Sequence, residues 1–288
     1  MTLLIKNGKI YRNKALIKKN IFIKNNKIAK ITSQELKADE IIDAKDKIII
    51  PGLIDSHVHF REPGLTQKED FLTGSMAAAA GGITTFLDMP NTKPATTNLQ
   101  RLDEKRKLAK KSVVNFGLYF GSTNDNIAEI EKVKGVAAVK IYMDYTTGDL
   151  ILNNEKVLKK IFSSNKTIAV HAENEHVLKA LELVQHADNH LYLCHVSSKE
   201  ELHYAKKDAI KNKVYVEVTP HHLFLTAKNV NDLGSLGEMK PSLKTEKDQK
   251  ALWEGIHNGE VDTIATDHAP HTKEEKLDPN YPYGVPGC

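Results

Sequence analysis

The chain has 288 residues, with 41 Lys and Arg against 37 Asp and Glu, for a formal charge of +4. Hydrophobic residues make up 40% and charged residues 27%, an ordinary globular balance that excludes a disordered chain. Gly at 16 and Cys at 2 exclude collagen-like and disulfide-rich scaffolds, the weak charge argues against nucleic acid, and no apolar run approaches a bilayer-spanning length. The opening MTLLIKNGKIYRNK has neither the apolar region nor the cleavage site of a signal peptide, and Cys194 and Cys288 offer no CxxC spacing. These features predict an intracellular, cytoplasmic protein with reduced thiols.

In chain order, residues 1–50 read as a small β unit. Short β-prone pieces at 3–5, 9–11, 20–23 and 27–31 are punctuated by Asn7-Gly8 and Asn25-Asn26, which read as hairpin turns. From residue 48 the pattern changes. Apolar, β-branched runs at 48–54, 83–89, 113–119, 136–142, 167–170, 191–194, 214–218 and 261–265 alternate with helical spacing at 68–80, 99–110, 126–132, 154–162, 175–185, 199–210 and 246–256. Strict alternation predicts parallel strands with crossover helices, and eight strands is the number that closes a (β/α)8 barrel. A doubly wound open sheet is the competing architecture. The stretch LDPNYPYGVPGC at 277–288 is too rich in Pro, Gly and Asn for the helix that should follow the eighth strand. The expectation is therefore a barrel over 51–288 that lacks its last helix, in a chain truncated at its C-terminus.

Histidines and carboxylates decide between the two architectures. His57 and His59 follow the first barrel strand in DSHVHF and, two apart in extended chain, project to one side. His171 ends the fifth strand, His195 the sixth and Asp267 the eighth. On a parallel barrel these strand ends converge, so four imidazoles and a carboxylate form a plausible ligand set for two metals. Lys140 lies in the apolar run VAAVKIYM, where an unpaired ammonium is costly. A neutral lysine amine can add carbon dioxide to become a carbamate, an anionic oxygen ligand able to bridge two cations. Asp144, four residues on, is the alternative carboxylate, and spacing alone does not choose between them. The His221-His222 pair reads as loop-shaping, and His268 as packing or support for Asp267. His176, His186, His190, His203 and His257 read as solvated or packed helical residues.

PGLIDSHVHFREPG, GGITTFLDMPNT, VKIYMDYTTG, AVHAEN, CHVSS, EVTPHHLFL and IATDHAPH occur in this order over nearly the whole chain. Together they resemble the dihydroorotases of the amidohydrolase superfamily. The resemblance implies a binuclear zinc centre in a (β/α)8 barrel with a small flanking β-sandwich, to which 1–50 contributes the first part. It implies that His57, His59 and Asp267 hold one metal, that His171 and His195 hold the second, and that carboxylated Lys140 bridges them. Some members use an aspartate as bridge, which keeps Asp144 in play. Arg61, Asn91 and His271 match groups that hold the substrate carboxylate. Lys240, in MKPSLK, departs from the family's frequent Asn, which contacts the pyrimidine ring.

The implied reaction is the reversible hydrolysis of dihydroorotate to N-carbamoyl-L-aspartate in pyrimidine biosynthesis. In it a metal-bridging hydroxide attacks the ring amide, and Asp267 moves the proton to the leaving nitrogen. Arg61 discriminates within the superfamily, because a guanidinium pairs bidentately with a carboxylate that allantoin and simple hydantoins lack. The alternatives are a hydantoinase- or allantoinase-like hydrolase, or a silent dihydroorotase-like assembly partner. Expected partners are the small-molecule substrate and either a second copy of the chain or aspartate carbamoyltransferase, with no nucleic acid and no membrane.

Overall fold

The structure, a computed structural model, describes all residues except 147–149, 207–209 and 211. It divides into two compact units, Met1–Gly52 and Leu53–Cys288.

The first unit holds β1 (Thr2–Lys6), β2 (Lys9–Arg12), β3 (Ala15–Lys18), β4 (Asn20–Lys24), β5 (Lys27–Thr32), β6 (Glu40–Asp43) and β7 (Ile48–Ile49). They form two sheets, ordered β5-β4-β1-β6 and β3-β2-β7. Asn25 and Asn26 both take left-handed backbone, φ 53° and 59°, and turn β4 into β5 as their type predicts. Asn13 and Lys14 do the same between β2 and β3, at 52° and 61°. Asn7-Gly8 is not a hairpin turn, because β1 and β2 lie in different sheets. Asn7 (φ 65°) instead carries the chain from one sheet to the other.

The second unit alternates as the sequence predicts. Its elements begin β8 (Leu53–Val58), α1 (Phe71–Ala80), β9 (Ile83–Asp88), α2 (Leu99–Ala109), β10 (Asn115–Leu118), β11 (Phe120–Gly121), α3 (Ile127–Lys132) and β12 (Val139–Tyr142). They continue α4 (Glu155–Phe162), β13 (Ile168–His171), α5 (Glu175–Gln185), β14 (Leu191–Leu193), α6 (Lys199–Ala205) and β15 (Val214–Val218). The last are α7 (Pro220–Phe224), α8 (Ala227–Leu233), α9 (Glu246–Asn258), β16 (Thr263–Ile264) and α10 (Lys273–Leu277). Neighbouring strands pair in parallel from β8 to β10 and from β11 to β16. The third barrel strand is split at Tyr119, whose N–H donates to Asp88 O at 3.0 Å. Closure comes from a Val58–His268 bridge and from His59 N–H donating to His268 O at 2.7 Å. The ring is thus a (β/α)8 barrel, and the open-sheet alternative falls.

Several boundaries differ from expectation for local reasons. The apolar run at 48–54 is cut by Pro51-Gly52: its first part becomes β7, and the barrel strand starts at Leu53 and runs past His57. Helix α1 starts at Phe71 rather than 68 because Asp70 caps it, in a reciprocal capping box with Thr73. Helix α6 ends at Ala205, and part of the helix expected to 210 lies outside the described residues. After β16 only the five-residue α10 forms, and 278–288 contains no helix. No helix among the described residues is long and apolar enough to cross a membrane.

One core contact is ionic. Lys105 of α2 and Asp88 at the end of β9 are both fully buried, with Nζ 2.6 Å from the carboxylate and 2.6 Å from Met89 O. Asp88 also accepts from Phe60 N–H at 2.7 Å. Removing one partner strands the other charge in low dielectric. Lys105→Met is therefore expected to lower unfolding free energy by about 3–5 kcal/mol, read as a lower urea midpoint at unchanged slope. A loss below about 1 kcal/mol would show that the pair is not structural.

Candidate metal centre and substrate cleft

The six residues that the resemblance makes ligands lie on the barrel unit, Lys140 inside a strand and the others at or near the C-terminal ends of strands. His57 is in β8 and His59 follows it, Lys140 is in β12, His171 ends β13, His195 follows β14 and Asp267 follows β16. All six are buried. Three of the cleft and cluster residues sit in left-handed backbone: Arg61 (φ 62°), His195 (φ 39°) and Asp267 (φ 47°). Such conformations cost free energy in non-glycine residues and are held only where the surroundings over-determine them.

His57 and His59 both aim Nε2 at the same oxygen, Asp267 Oδ1, at 3.2 and 3.0 Å. Their other nitrogens are committed as donors, His57 Nδ1–H to Glu217 at 2.8 Å and His59 Nδ1–H to Asn91 Oδ1 at 2.7 Å. Two imidazole lone pairs and a carboxylate oxygen therefore converge, an arrangement that calls for a shared proton or cation. Burial opposes charge on His57, but Glu217 and Asp267 override it and raise its pKa well above the usual imidazole range. A cation binding here competes with that proton. Burial lowers His59 to about 4, and it lowers His171 to about 3 with help from the Lys140 charge. His195 falls well below the ordinary value through burial and the neighbouring His171. Neutral imidazoles are the form that ligates metal. Burial works against charge on Asp267, but His57 and His59 hold its carboxyl well below the ordinary range.

The second pair faces in the same way. His171 Nδ1 lies 2.9 Å from His195 Nε2, and the His57 and His195 rings are 5.4 Å apart. The outer nitrogens, His171 Nε2 and His195 Nδ1, are buried with no partner among the described residues. Lys140 Nζ is fully buried, 2.9 Å from Cys194 Sγ. Asp144 is occupied elsewhere: it accepts from Glu173 N–H at 2.6 Å and pairs with His176 Nδ1 at 2.7 Å. His176 is accordingly half-buried and paired rather than simply solvated.

Sequence reasoning missed Glu217. It accepts from His57 Nδ1, His195 N–H at 2.8 Å and Tyr192 Oη at 2.6 Å, and so orients two histidines at once. Its signal was available, since a charged residue inside the apolar run VYVEV raises the same question as Lys140. With His57 and Cys194 it makes a second buried group of metal-ligating type beside His57, His59 and Asp267. His222 shapes its loop as expected, meeting Thr219 Oγ1 at 2.7 Å and Pro241 O at 3.1 Å. His268 bonds Glu69 at 2.7 Å and accepts from the N–H groups of Gly287 and Cys288.

A narrow cleft opens beside Asp267 and is lined by His59, Arg61, Asn91, Lys240 and Tyr283, among others. Arg61 is 3% exposed, donates Nε–H to Pro270 O at 2.9 Å, and has Nη2 3.0 Å from His271 Nε2. No carboxylate among the described residues lies within ion-pair distance of its guanidinium. Burial lowers its pKa only to about 10, so it stays charged. His271 lies between Arg61 and Lys68, whose Nζ is 2.9 Å from Nδ1, and burial with these cations lowers it to about 3. Gly64 (φ +83°) packs where any Cβ would meet Lys93 O at 1.8 Å, which holds the Arg61 segment against the one carrying Asn91. Lys240 sits at the cleft with Nζ 5.0 Å from the Tyr283 ring.

A parallel barrel with buried imidazoles, a lysine and an aspartate at its strand ends is the architecture of metal-dependent amide hydrolases. The chain belongs to the amidohydrolase family, whose profile matches residues 48–279, and within it to the dihydroorotases. It is 38% identical to a dihydroorotase of Methanosarcina acetivorans, over 98% of this chain and 71% of that protein. A dihydroorotase of Lactobacillus johnsonii is 36% identical, over 96% of this chain and 73% of its own length. Among solved structures, L-hydantoinase from Arthrobacter aurescens superposes with a TM-score of 0.89 at 28% identity, covering 95% of this chain and 70% of that one.

Proposed function

We propose that this chain hydrolyses dihydroorotate reversibly to N-carbamoyl-L-aspartate, as a metal-dependent dihydroorotase of pyrimidine biosynthesis. The observation that carries this reading is a buried, charged Arg61 with no carboxylate partner among the described residues, lining the same cleft as the His59–Asp267 cluster. A desolvated guanidinium of this kind calls for an anionic group on the ligand. Dihydroorotate supplies one beside its ring amide, whereas a simple hydantoin does not. The relatives named dihydroorotase support the same choice over the structural likeness to hydantoinase.

His57, His59 and Asp267 are the proposed ligands of one divalent cation, and His171 and His195 those of a second, with Lys140 as a carboxylated bridge. Zinc suits this mixture of imidazole and oxygen donors. When bound, such ions lower the pKa of water and polarise the amide carbonyl. Arg61, Asn91 and His271 bind the carboxylate and fix the ring in the cleft. Asp267, held ionised, accepts a proton from the attacking water and returns it to the ring nitrogen as the C–N bond breaks. Water's oxygen ends in the new carboxylate, its second proton leaves to solvent, and the reverse direction takes that proton up and runs the same transfers backwards. Lys240, which the resemblance sets at the family's frequent ring-contacting Asn, also lines the cleft and is the proposed ring contact. The proposed partners are aspartate carbamoyltransferase or a second copy of the chain; likeness to the multifunctional protein CAD of Squalus acanthias, 39% identical over 83% of this chain, supports association with further enzyme activities.

The test is loss of dihydroorotate ultraviolet absorbance by the zinc-supplied chain in bicarbonate, with hydantoin and allantoin as rival substrates. Turnover of dihydroorotate alone is expected, and preference for an uncharged ring would sink the reading. The bridge is tested separately. Lys140→Met is expected to lose at least half of the bound zinc and all dependence of zinc loading on bicarbonate, whereas Asp144→Asn retains both. The reverse pattern assigns the bridge to Asp144.

A further inference from the structure

Lys276 on α10 is buried, yet no carboxylate among the described residues pairs with its ammonium. It donates instead to three main-chain carbonyls, Glu238 O at 3.0 Å, Pro282 O at 3.1 Å and Gly284 O at 3.1 Å. A lysine has three N–H donors, so a carbonyl takes each. Burying an ammonium among neutral dipoles is expensive, and what it gains is the arrangement that it imposes.

Those carbonyls come from two segments far apart in the chain. One leads into Met239 and Lys240, the other carries Tyr283 and Gly284, and Lys240, Tyr283 and Gly284 all line the cleft. The same two segments are tied by Gly284 N–H to Glu238 O at 3.1 Å, and His271 Nε2 meets Tyr283 O at 2.9 Å. At Gly284 (φ +132°) a Cβ would lie 2.7 Å from Ala269 O and 3.1 Å from His271 Nε2, so this backbone runs directly against the histidine. Without the ammonium, three carbonyl oxygens converge on an empty position and repel one another.

We infer that Lys276 is a positioning residue for the substrate: its ammonium clamps the segment around Glu238 to residues 282–284, making one wall of the cleft and seating His271. The inference rests on the function proposed above. Lys276 makes no bond to His57, His59 or Asp267, so its loss acts on substrate binding and not on the chemical step.

The test measures the calorimetric Kd for N-carbamoyl-L-aspartate, KM, kcat and zinc content in Lys276→Ala and Lys276→Met. Kd and KM are expected to rise about tenfold or more, with kcat within about threefold and zinc unchanged. Propylammonium replaces the atoms that the alanine variant lacks. It is expected to restore affinity saturably to that variant, whereas potassium chloride at equal ionic strength does not. Lys276→Met keeps the apolar stem and guards against a variant that merely fails to fold. Unchanged affinity in either variant overturns the inference, as does joint loss of kcat and zinc that propylammonium leaves unrepaired. An unsubstituted chain that neither binds nor turns over the pair overturns the proposed function itself, and this inference with it. Wild-type activity with unaltered variants overturns this inference alone.

Discussion

Asp267→Ala is expected to lower dihydroorotate hydrolysis by at least about a thousandfold, the largest effect of any single substitution considered for this chain. Two contributions combine. The carboxylate is the one anionic oxygen shared by His57 and His59, at 3.2 and 3.0 Å, so its loss weakens the first proposed cation site. It is also the proposed carrier of the proton between water and ring nitrogen. Asp267→Asn separates the two, since an amide oxygen still faces both imidazoles but cannot take up a proton at neutral pH. The amide variant is expected to retain more zinc than the alanine variant and to be just as inactive. Equilibrium zinc titration together with the absorbance assay checks both. Activity within about tenfold of wild type in the asparagine variant would remove Asp267 from the proton transfer.

Arg61→Asn is expected to raise KM for dihydroorotate by about a hundredfold to a thousandfold. The guanidinium is buried, charged and without a carboxylate partner among the described residues, so a substrate carboxylate docking there gains a charge-assisted bond without displacing an existing one. Its Nε–H also holds Pro270 O at 2.9 Å, close to His271. Arg61→Lys therefore serves as the control: it keeps the charge and loses the fork, and an intermediate KM is expected. Any residual turnover of an uncharged cyclic amide should be the same in wild type and Arg61→Asn. If both substrates weaken equally, Arg61 supports the loop and does not read the carboxylate.

The barrel was legible because its signal is periodic. Buried parallel strands need continuous apolar runs, and the runs at 167–170, 191–194 and 214–218 lie within a residue of β13, β14 and β15. The first strand was misplaced because apolar content does not reveal that Pro51-Gly52 ends one pairing and lets another begin. In the N-terminal unit, β6 was missed because all four of its residues are exposed, which leaves no alternation to read. The hairpin at Asn13-Lys14 was missed because lysine is no signal for left-handed backbone, whereas Asn25-Asn26 announces itself. The candidate cluster was legible only where residue type is unusual for its surroundings, as with Lys140 in a buried strand. Lys276 had no such mark: in TKEEKL it reads as one more solvated helix charge, and only the folded path of 282–284 over it reveals its burial.

The seam where the barrel closes lies between β8 and the segment after β16. Asp55 accepts from Thr266 N–H and Oγ1–H there, and the same junction supplies His57, His59 and Asp267. His59 and Asp267 are 208 residues apart in the chain. A ligand held between them is therefore a cross-link over one of the longest loops that the barrel contains, closing it at the point where ordering costs the most chain entropy. Occupancy of the centre and integrity of the ring become one thermodynamic quantity, so that the ion needed for chemistry also fastens the circle that presents it.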